Sequence, residues 1–245
     1  MGTMICTAVA HRGDPYVRRE NTLPSIRSAL RAGAGAVEID VRLARDGVPV
    51  LLHDATLERL WGHQRPLSQL SAAEVRGLTG GGVPTLREAL HEIGQSPEAR
   101  AFIDFPDPSA VPATVAEVHA CGAAERAYYC GGPAAMLAVR RADPAAETAL
   151  TWTTLAPPRP VLLADVRPRW LNYRFGLVSE SLVERNHADG LLVSAWTPDT
   201  RRSMTRLLRA GVDSITTNRV DVLCALLARR SGQRKAGRTG TGAHR

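Results

Sequence analysis

Residues 36–43, Ala36-Val37-Glu38-Ile39-Asp40-Val41-Arg42-Leu43, alternate in side-chain character without a break. Successive side chains of an extended chain point to opposite sides, so Val37, Ile39, Val41 and Leu43 share one face while Glu38, Asp40 and Arg42 share the other. Where helices cover such a strand on its apolar side, both carboxylates point into the enclosed centre of the sheet. An uncompensated charge there is prohibitively costly. Two arrangements relieve it: a hard divalent cation, the natural partner of carboxylate oxygens, or a buried salt-bridge cluster with Arg12 and Arg42. Just downstream, Asp46-Gly47 is a turn signal and Val48–Leu52 is a second apolar run. That pairing predicts a short hairpin strand folded back on the first.

Further strand-like runs lie near residues 5–10, 101–105, 126–130, 148–152, 169–172, 190–195 and 213–217. Between them come helical patterns with one apolar face, such as Leu23, Ile26 and Leu30, or Met204, Leu207 and Leu208. Eight βα repeats in a chain of 245 residues match a barrel of about 250 residues. The expected class is α/β and the expected fold a (β/α)8 TIM barrel, with the small hairpin strand added after strand two. A doubly wound open sheet has a similar strand count, but no Gly-rich fingerprint follows the first strand. The fifth helix is the weakest element, because residues 154–160 hold three prolines and leave only Val161–Val166.

The formal charge of +7 belongs to the chain end. Residues 229–245 contain Arg229, Arg230, Arg234, Lys235, Arg238 and Arg245 and no acid, so the remainder carries 25 bases against 24 acids. The expected division is a barrel over residues 1–228 and a disordered basic tail over 229–245, which lacks the apolar periodicity to offset ordering entropy. A near-neutral body argues against a nucleic-acid partner. Lys235 is the only lysine, which excludes Schiff-base aldolase chemistry, covalent pyridoxal chemistry and a P-loop from the fold. Cys6, Cys121, Cys130 and Cys224 form no CxxC pair and read as buried reduced thiols. No apolar run approaches the roughly 20 residues of a membrane span, and Met4–Ala10 lacks the flanks of a signal peptide. These features predict a cytoplasmic protein without stable membrane insertion; they leave the oligomeric state open.

His11-Arg12-Gly13 closes the first strand and His53-Asp54 closes the hairpin run. Barrel enzymes present their catalytic groups at carboxyl ends of strands. A lone histidine in such a place is most often structural, but two of them flanking paired carboxylates suit an acid/base pair. His63, His91, His119, His187 and His244 have no such placement.

His11-Arg12-Gly13, Glu20-Asn21-Thr22, Glu38-Ile39-Asp40-Val41, Asp46-Gly47, His53-Asp54 and Leu57-Glu58-Arg59 stand in one order within fifty residues. Together they resemble the glycerophosphodiester phosphodiesterase family. Pro84-Thr85-Leu86, Ala195-Trp196-Thr197 and the stretch from Gly211 to Asn218 extend the likeness to roughly residues 5–228. The resemblance implies that His11 and His53 are the general acid and base, that Arg12 holds phosphate, and that Glu38 and Asp40 ligate one divalent cation, Mg²⁺ or Ca²⁺. It places the third ligand on strand three, where the family has Glu and this chain has Asp104. Pro106 replaces the family's lysine two residues later, Asn218 replaces an Asp, and Cys130-Gly131-Gly132 replaces a polar-aromatic pair.

Arg174, just past strand six, is either a substitute for the missing positive charge or a surface arginine. Trp196, past strand seven, either flanks the substrate's alcohol or packs in the core. Asn21 either reaches metal or phosphate, or begins a helix with Thr22. The implied reaction is hydrolysis of a small-molecule glycerophosphodiester to sn-glycerol 3-phosphate and an alcohol. Two alternatives stay open: a sphingomyelinase D-like lyase or transferase that forms a cyclic phosphate, and a non-catalytic phosphoester-binding protein.

Overall fold

The computed structural model describes the backbone of residues 6–239 and the side chains of residues 6–230. Its first repeat comprises β1 (Thr7–Ala10) and α1 (Leu23–Arg31), followed by β2 (Ala36–Leu43) and the hairpin strand β3 (Pro49–Leu51). An excursion then holds β4 (Thr56–Leu57), α2 (Glu58–Trp61), β5 (His63–Pro66) and α3 (Ala72–Leu78) before α4 (Leu86–Gly94). Five further repeats run β6 (Arg100–Asp104), α5 (Val111–Ala120), β7 (Ala127–Gly131), α6 (Pro133–Ala142), β8 (Thr148–Trp152), α7 (Pro160–Val166), β9 (Trp170–Arg174), α8 (Glu180–Ala188), β10 (Leu192–Trp196) and α9 (Arg201–Ala210). β11 (Ser214–Thr217) and α10 (Val220–Thr239) complete the fold.

The order β1-β2-β6-β7-β8-β9-β10-β11 closes on itself through parallel pairing of β11 with β1, giving the expected eight-stranded barrel. β3 lies antiparallel on β2, with Val41 opposite Leu51, as the Asp-Gly turn predicts. The outward faces of the strands and the inward stripes of the helices form the main core, which takes in Val37, Ile39 and Val41. Inside the ring, Val9, Ala36, Phe102, Tyr128, Ala149 and Trp170 fill the lumen; the Phe102 and Tyr128 rings stack at 4.3 Å. Arg100 and Glu147 pair at 2.9 Å beneath them, so the lumen is packed rather than open at its lower end. The filling leaves space only above, at the carboxyl ends of the strands.

Two parts differ from the sequence reading. The excursion between β3 and α4 was not legible as elements, yet it carries its own small core of Val50, Leu52, Leu57, Leu67, Leu70, Val75 and Val83. The backbone of the chain end is helical through Thr239, whereas composition predicts loss of order from residue 229. A docked helix extends at little cost once nucleated, since each added residue gains one hydrogen bond. Residues 240–245, His244 among them, lie outside the described residues. No helix among the described residues is long and apolar enough to cross a membrane.

Candidate active site

β1 ends in a tight turn whose conformation the sequence dictates. Gly13 has φ +86°, and a Cβ there would lie 2.3 Å from Ser25 Oγ, so only glycine fits. Ser25 Oγ fastens the turn to α1, accepting from Asp14 N at 2.7 Å and donating to Arg12 O at 3.0 Å. Arg12 itself is held at φ +57°, a conformation that costs a non-glycine residue about 1–2 kcal/mol. Strain of this kind gathers where a side chain must be aimed. Here it brings Arg12 N within 2.8 Å of Glu38 Oε2 and Arg12 Nε within 3.1 Å of Asp40 Oδ2. The latter contact is close as an ion pair but lacks hydrogen-bond alignment.

Glu38 and Asp40 are both buried, on the inward face of β2. Parallel pairing sets Asp40 directly beside Asp104 of β6. One ligand oxygen from each of the three carboxylates falls within 4.8 Å of the other two. Their proximity leaves an electrostatic mark. Burial, reinforced by Asp40 and Asp104, pushes Glu38 well above the usual carboxylate range. Burial and Asp40 push Asp104 up to about 6. Three acids that destabilise one another's charge, with oxygen donors converging on one point, fit a hard divalent cation. The salt-bridge alternative fails for Arg42, whose Nε donates instead to His53 O at 2.8 Å.

The two histidines line the same cavity, of about 230 Å³, together with Arg12, the three carboxylates, Phe102, Cys130, Thr151, Asn172, Trp196 and Thr216. Their supports differ. His11 Nδ1 donates to Asn218 Oδ1 at 2.7 Å, and the Asn218 amide is oriented by donating Nδ2 to Asp199 at 2.8 Å. Since a carboxylate only accepts, the amide oxygen must face His11, which places the imidazole proton on Nδ1. Burial, with Arg12 nearby, lowers the His11 pKa below its ordinary value. His53 Nδ1 donates to Asp54 Oδ1 at 2.8 Å. Asp54 is also bound by Arg59, and Arg59 reaches Glu20 at 2.6 Å. Glu20 in turn accepts from Arg12 at 2.9 Å, so one chain of charges connects Arg12 to His53.

The remaining expected residues separate clearly. Asn21 is buried, donates Nδ2 to Asp40 Oδ2 at 2.7 Å and accepts from Asp40 N at 3.2 Å. It holds a candidate ligand in place, while Thr22 supplies the α1 cap by accepting from Ser25 N. Trp196 stands on the cavity wall. Arg174 is exposed at the rim, its guanidinium 6.0 Å from the Trp196 ring, and is not part of the cavity lining; the charge lost at Pro106 is not restored inside. Among the described residues Arg12 is the only arginine lining the cavity. Cys6, Cys121 and Cys224 are half-buried rather than buried.

Sequence reasoning missed Asp199, the Asp54–Arg59–Glu20 chain and Cys130. The Cys130 thiol donates to Asp104 Oδ1 at 3.2 Å. Of these, the Glu20 and Arg59 motifs were visible as motifs without a role, and Cys130 was visible as a departure from the family pattern at the end of a strand, without its bond to Asp104.

A family model described as the glycerophosphoryl diester phosphodiesterase family matches residues 11–222. A probable glycerophosphodiester phosphodiesterase 2 from Mycobacterium tuberculosis is 30% identical over 91% of each chain. A glycerophosphodiester phosphodiesterase from Caldanaerobacter subterraneus is 26% identical over 89% of this chain and 96% of its own. Among solved structures, a putative glycerophosphoryl diester phosphodiesterase from Silicibacter pomeroyi has a TM-score of 0.82 at 23% identity, covering 93% of this chain and 94% of that one. A phosphodiesterase from Oleispira antarctica, solved in complex with the product sn-glycerol-3-phosphate, has a TM-score of 0.80 at 20% identity over 91% and 97%.

Proposed function

This chain belongs to the glycerophosphoryl diester phosphodiesterase family and is a phosphoric diester hydrolase; on that basis we propose that it converts glycerophosphodiesters to sn-glycerol 3-phosphate and an alcohol. One observation carries the reading. Three convergent carboxylates, an arginine and two oriented imidazoles share a single cavity at the carboxyl ends of the barrel strands.

In this mechanism Glu38, Asp40 and Asp104 would hold one Mg²⁺ or Ca²⁺. The bound cation would supply Lewis-acid polarisation of a phosphoryl oxygen. Arg12 binds another phosphoryl oxygen; its Nη2 has no hydrogen-bond partner among the described residues and is free for that contact. A planar guanidinium suits phosphate because its N–H groups are held in a rigid fork that matches the phosphate oxygens. His11 and His53 divide the proton transfers, one taking a proton from water and the other giving one to the departing alcohol. Asn218 and Asp54 fix which ring nitrogen each offers to the cavity. Trp196 gives the alcohol an apolar wall, and Arg174 meets the substrate at the rim. Four unpaired cysteines suit a reducing, cytoplasmic setting.

The test is hydrolysis of glycerophosphocholine by metal-stripped protein. Activity should vanish with chelator and return with Mg²⁺ or Ca²⁺; a protein that only binds phosphoesters would release no choline under any condition. Phosphorus NMR of the product separates the two possible reactions, since a lyase leaves a cyclic phosphate where a hydrolase leaves a monoester.

A further inference from the structure

The exposed apolar side chains are distributed unevenly over the molecule. Among the described residues the large ones are Tyr16, Val17, Leu78, Leu155, Val161 and Phe175. Tyr16 and Val17 lie between β1 and α1, Leu155 between β8 and α7, Val161 in the first turn of α7, and Phe175 directly after β9. All five therefore stand at the carboxyl ends of the strands, the end where the cavity opens. The connections at the opposite end, from each helix to the next strand, contribute none. In the closed ring β1 lies across from β8, so the apolar residues flank the opening on two sides. Val161 is 72% exposed, Leu155 66% and Tyr16 65%; single exposed apolar residues are ordinary, and it is their gathering at one end of the barrel that is informative.

The same connections carry arginines without acidic partners. Arg18, Arg19, Arg159 and Arg174 are exposed and form no ion pair among the described residues. Arg19 instead lies over the Trp61 ring at 4.1 Å. The two acids of the connection between β1 and α1 are already engaged: Glu20 with Arg12 and Arg59, and Asp14 with Ser28. Separate loops bearing apolar tips and unpaired guanidinium groups offer no shaped groove for a folded protein. They match a surface with a negative headgroup layer above an apolar one.

We propose that this face docks peripherally on an anionic lipid surface, so that the active-site opening takes phosphodiesters from the headgroup layer. The docking is by loop tips and involves no membrane span. It rests on the hydrolase reading only for its purpose; the docking itself is measurable without turnover. Purified protein should co-sediment with phosphatidylglycerol-containing vesicles, weakly or not at all with pure phosphatidylcholine vesicles, and less as salt is raised. The triple variant Val17→Asp, Leu155→Asp, Val161→Asp changes only exposed side chains. It should lose vesicle binding by about tenfold or more and hydrolyse vesicle-borne lysophosphatidylcholine correspondingly more slowly, while its turnover of soluble glycerophosphocholine is unchanged. Equal vesicle binding by wild type and variant overturns the proposal. So does a wild type that ignores anionic vesicles yet forms a concentration-dependent dimer abolished in the variant, which would assign the face to a second copy of the chain. A protein that binds vesicles as described but hydrolyses neither substrate would instead defeat the hydrolase reading and leave the docking intact.

Discussion

Two halves of one ring line the cavity, and they are built of different chemistry. From β11 through β1 and β2 to β6 the strand ends carry Asn218, His11, Arg12, Glu38, Asp40 and Asp104, and each of these side chains has a charged or hydrogen-bonding partner. From β7 to β10 the corresponding positions are Cys130, Thr151, Asn172 and Trp196, with no ionised group. In the neutral half the bonds join uncharged groups: Asn172 Nδ2 donates to Thr151 Oγ1 at 3.2 Å, while Ser194 Oγ, like Ser214 Oγ and Thr216 Oγ1 on β11, is buried without a partner. Charged side chains are thus concentrated on four adjacent strands, where the proposed proton transfer and cation binding would need them. The other four form an uncharged wall, which suits the part of a substrate whose identity the proposed chemistry does not depend on.

The sharpest test of that division is removal of an imidazole from the charged half. His11→Ala or His53→Ala should lower kcat for glycerophosphocholine by roughly 10²- to 10⁴-fold, with retained thermal stability showing that the fold survives. Undiminished turnover would strike either residue from the mechanism. Asn21→Ala touches no substrate in this scheme but frees Asp40, so divalent-ion affinity measured by calorimetry should weaken by about 10- to 100-fold. An unaltered affinity would show that Asp40 needs no holding.

Acidity probes the same half. Asp104 is raised to about 6 from an ordinary 3.8, by burial and then by Asp40. The folded protein therefore binds a proton there more tightly than the unfolded chain does. For metal-free protein this group's contribution to stability is present in full below about 3.8 and is lost as pH rises through about 6. His11, lowered by burial, works in the opposite direction over the same interval, so the Asp104 contribution is read against Asp104→Asn. In chelator-treated protein the variant's Tm advantage at pH 7.5 should shrink on acidification to pH 5, while wild-type divalent-ion affinity falls because the cation competes with the proton. A Tm difference that does not change over that interval would contradict the placement of Asp104.

Effects in the neutral half should be smaller. Trp196→Ala should raise KM by roughly 2- to 10-fold, the value of one aromatic contact, and leave kcat nearly intact; a collapse in kcat would move Trp196 into the reacting group. Ser194→Ala removes a buried hydroxyl that has no partner, so hydrolysis should be unaffected and Tm equal or higher. A clear loss of stability would mean that the hydroxyl is bonded after all.

The barrel was legible because its strands are punctuated regularly and β2 alternates so cleanly that only a two-faced environment suits it. Four of the candidate site residues were legible from the same pattern, which puts Glu38 and Asp40 on the inward face of β2 and His11 and His53 just past strand ends, whereas Asp104 was picked out by the family resemblance. What escaped is what joins those residues together. Asp199 reaches His11 only through Asn218, and Arg59 reaches His53 only through Asp54, contacts created by closure of the ring and by the excursion after β3. Asn21 illustrates the ambiguity. Adjacent to a helix cap, it reads locally as a helix-start residue, and only the position of Asp40 reveals its bond. The last helix escaped for another reason: composition reports that 229–239 cannot fold alone, not that it can continue what already has.

Asp40 and Asp104 occupy matching rungs of neighbouring strands, with Glu38 one rung pair below. A cation gripped by them would act as a rivet through one seam of an otherwise unfastened cask. Stripping it should be felt locally, as faster amide exchange along the β2–β6 seam, while the staves from β7 to β10 keep their protection.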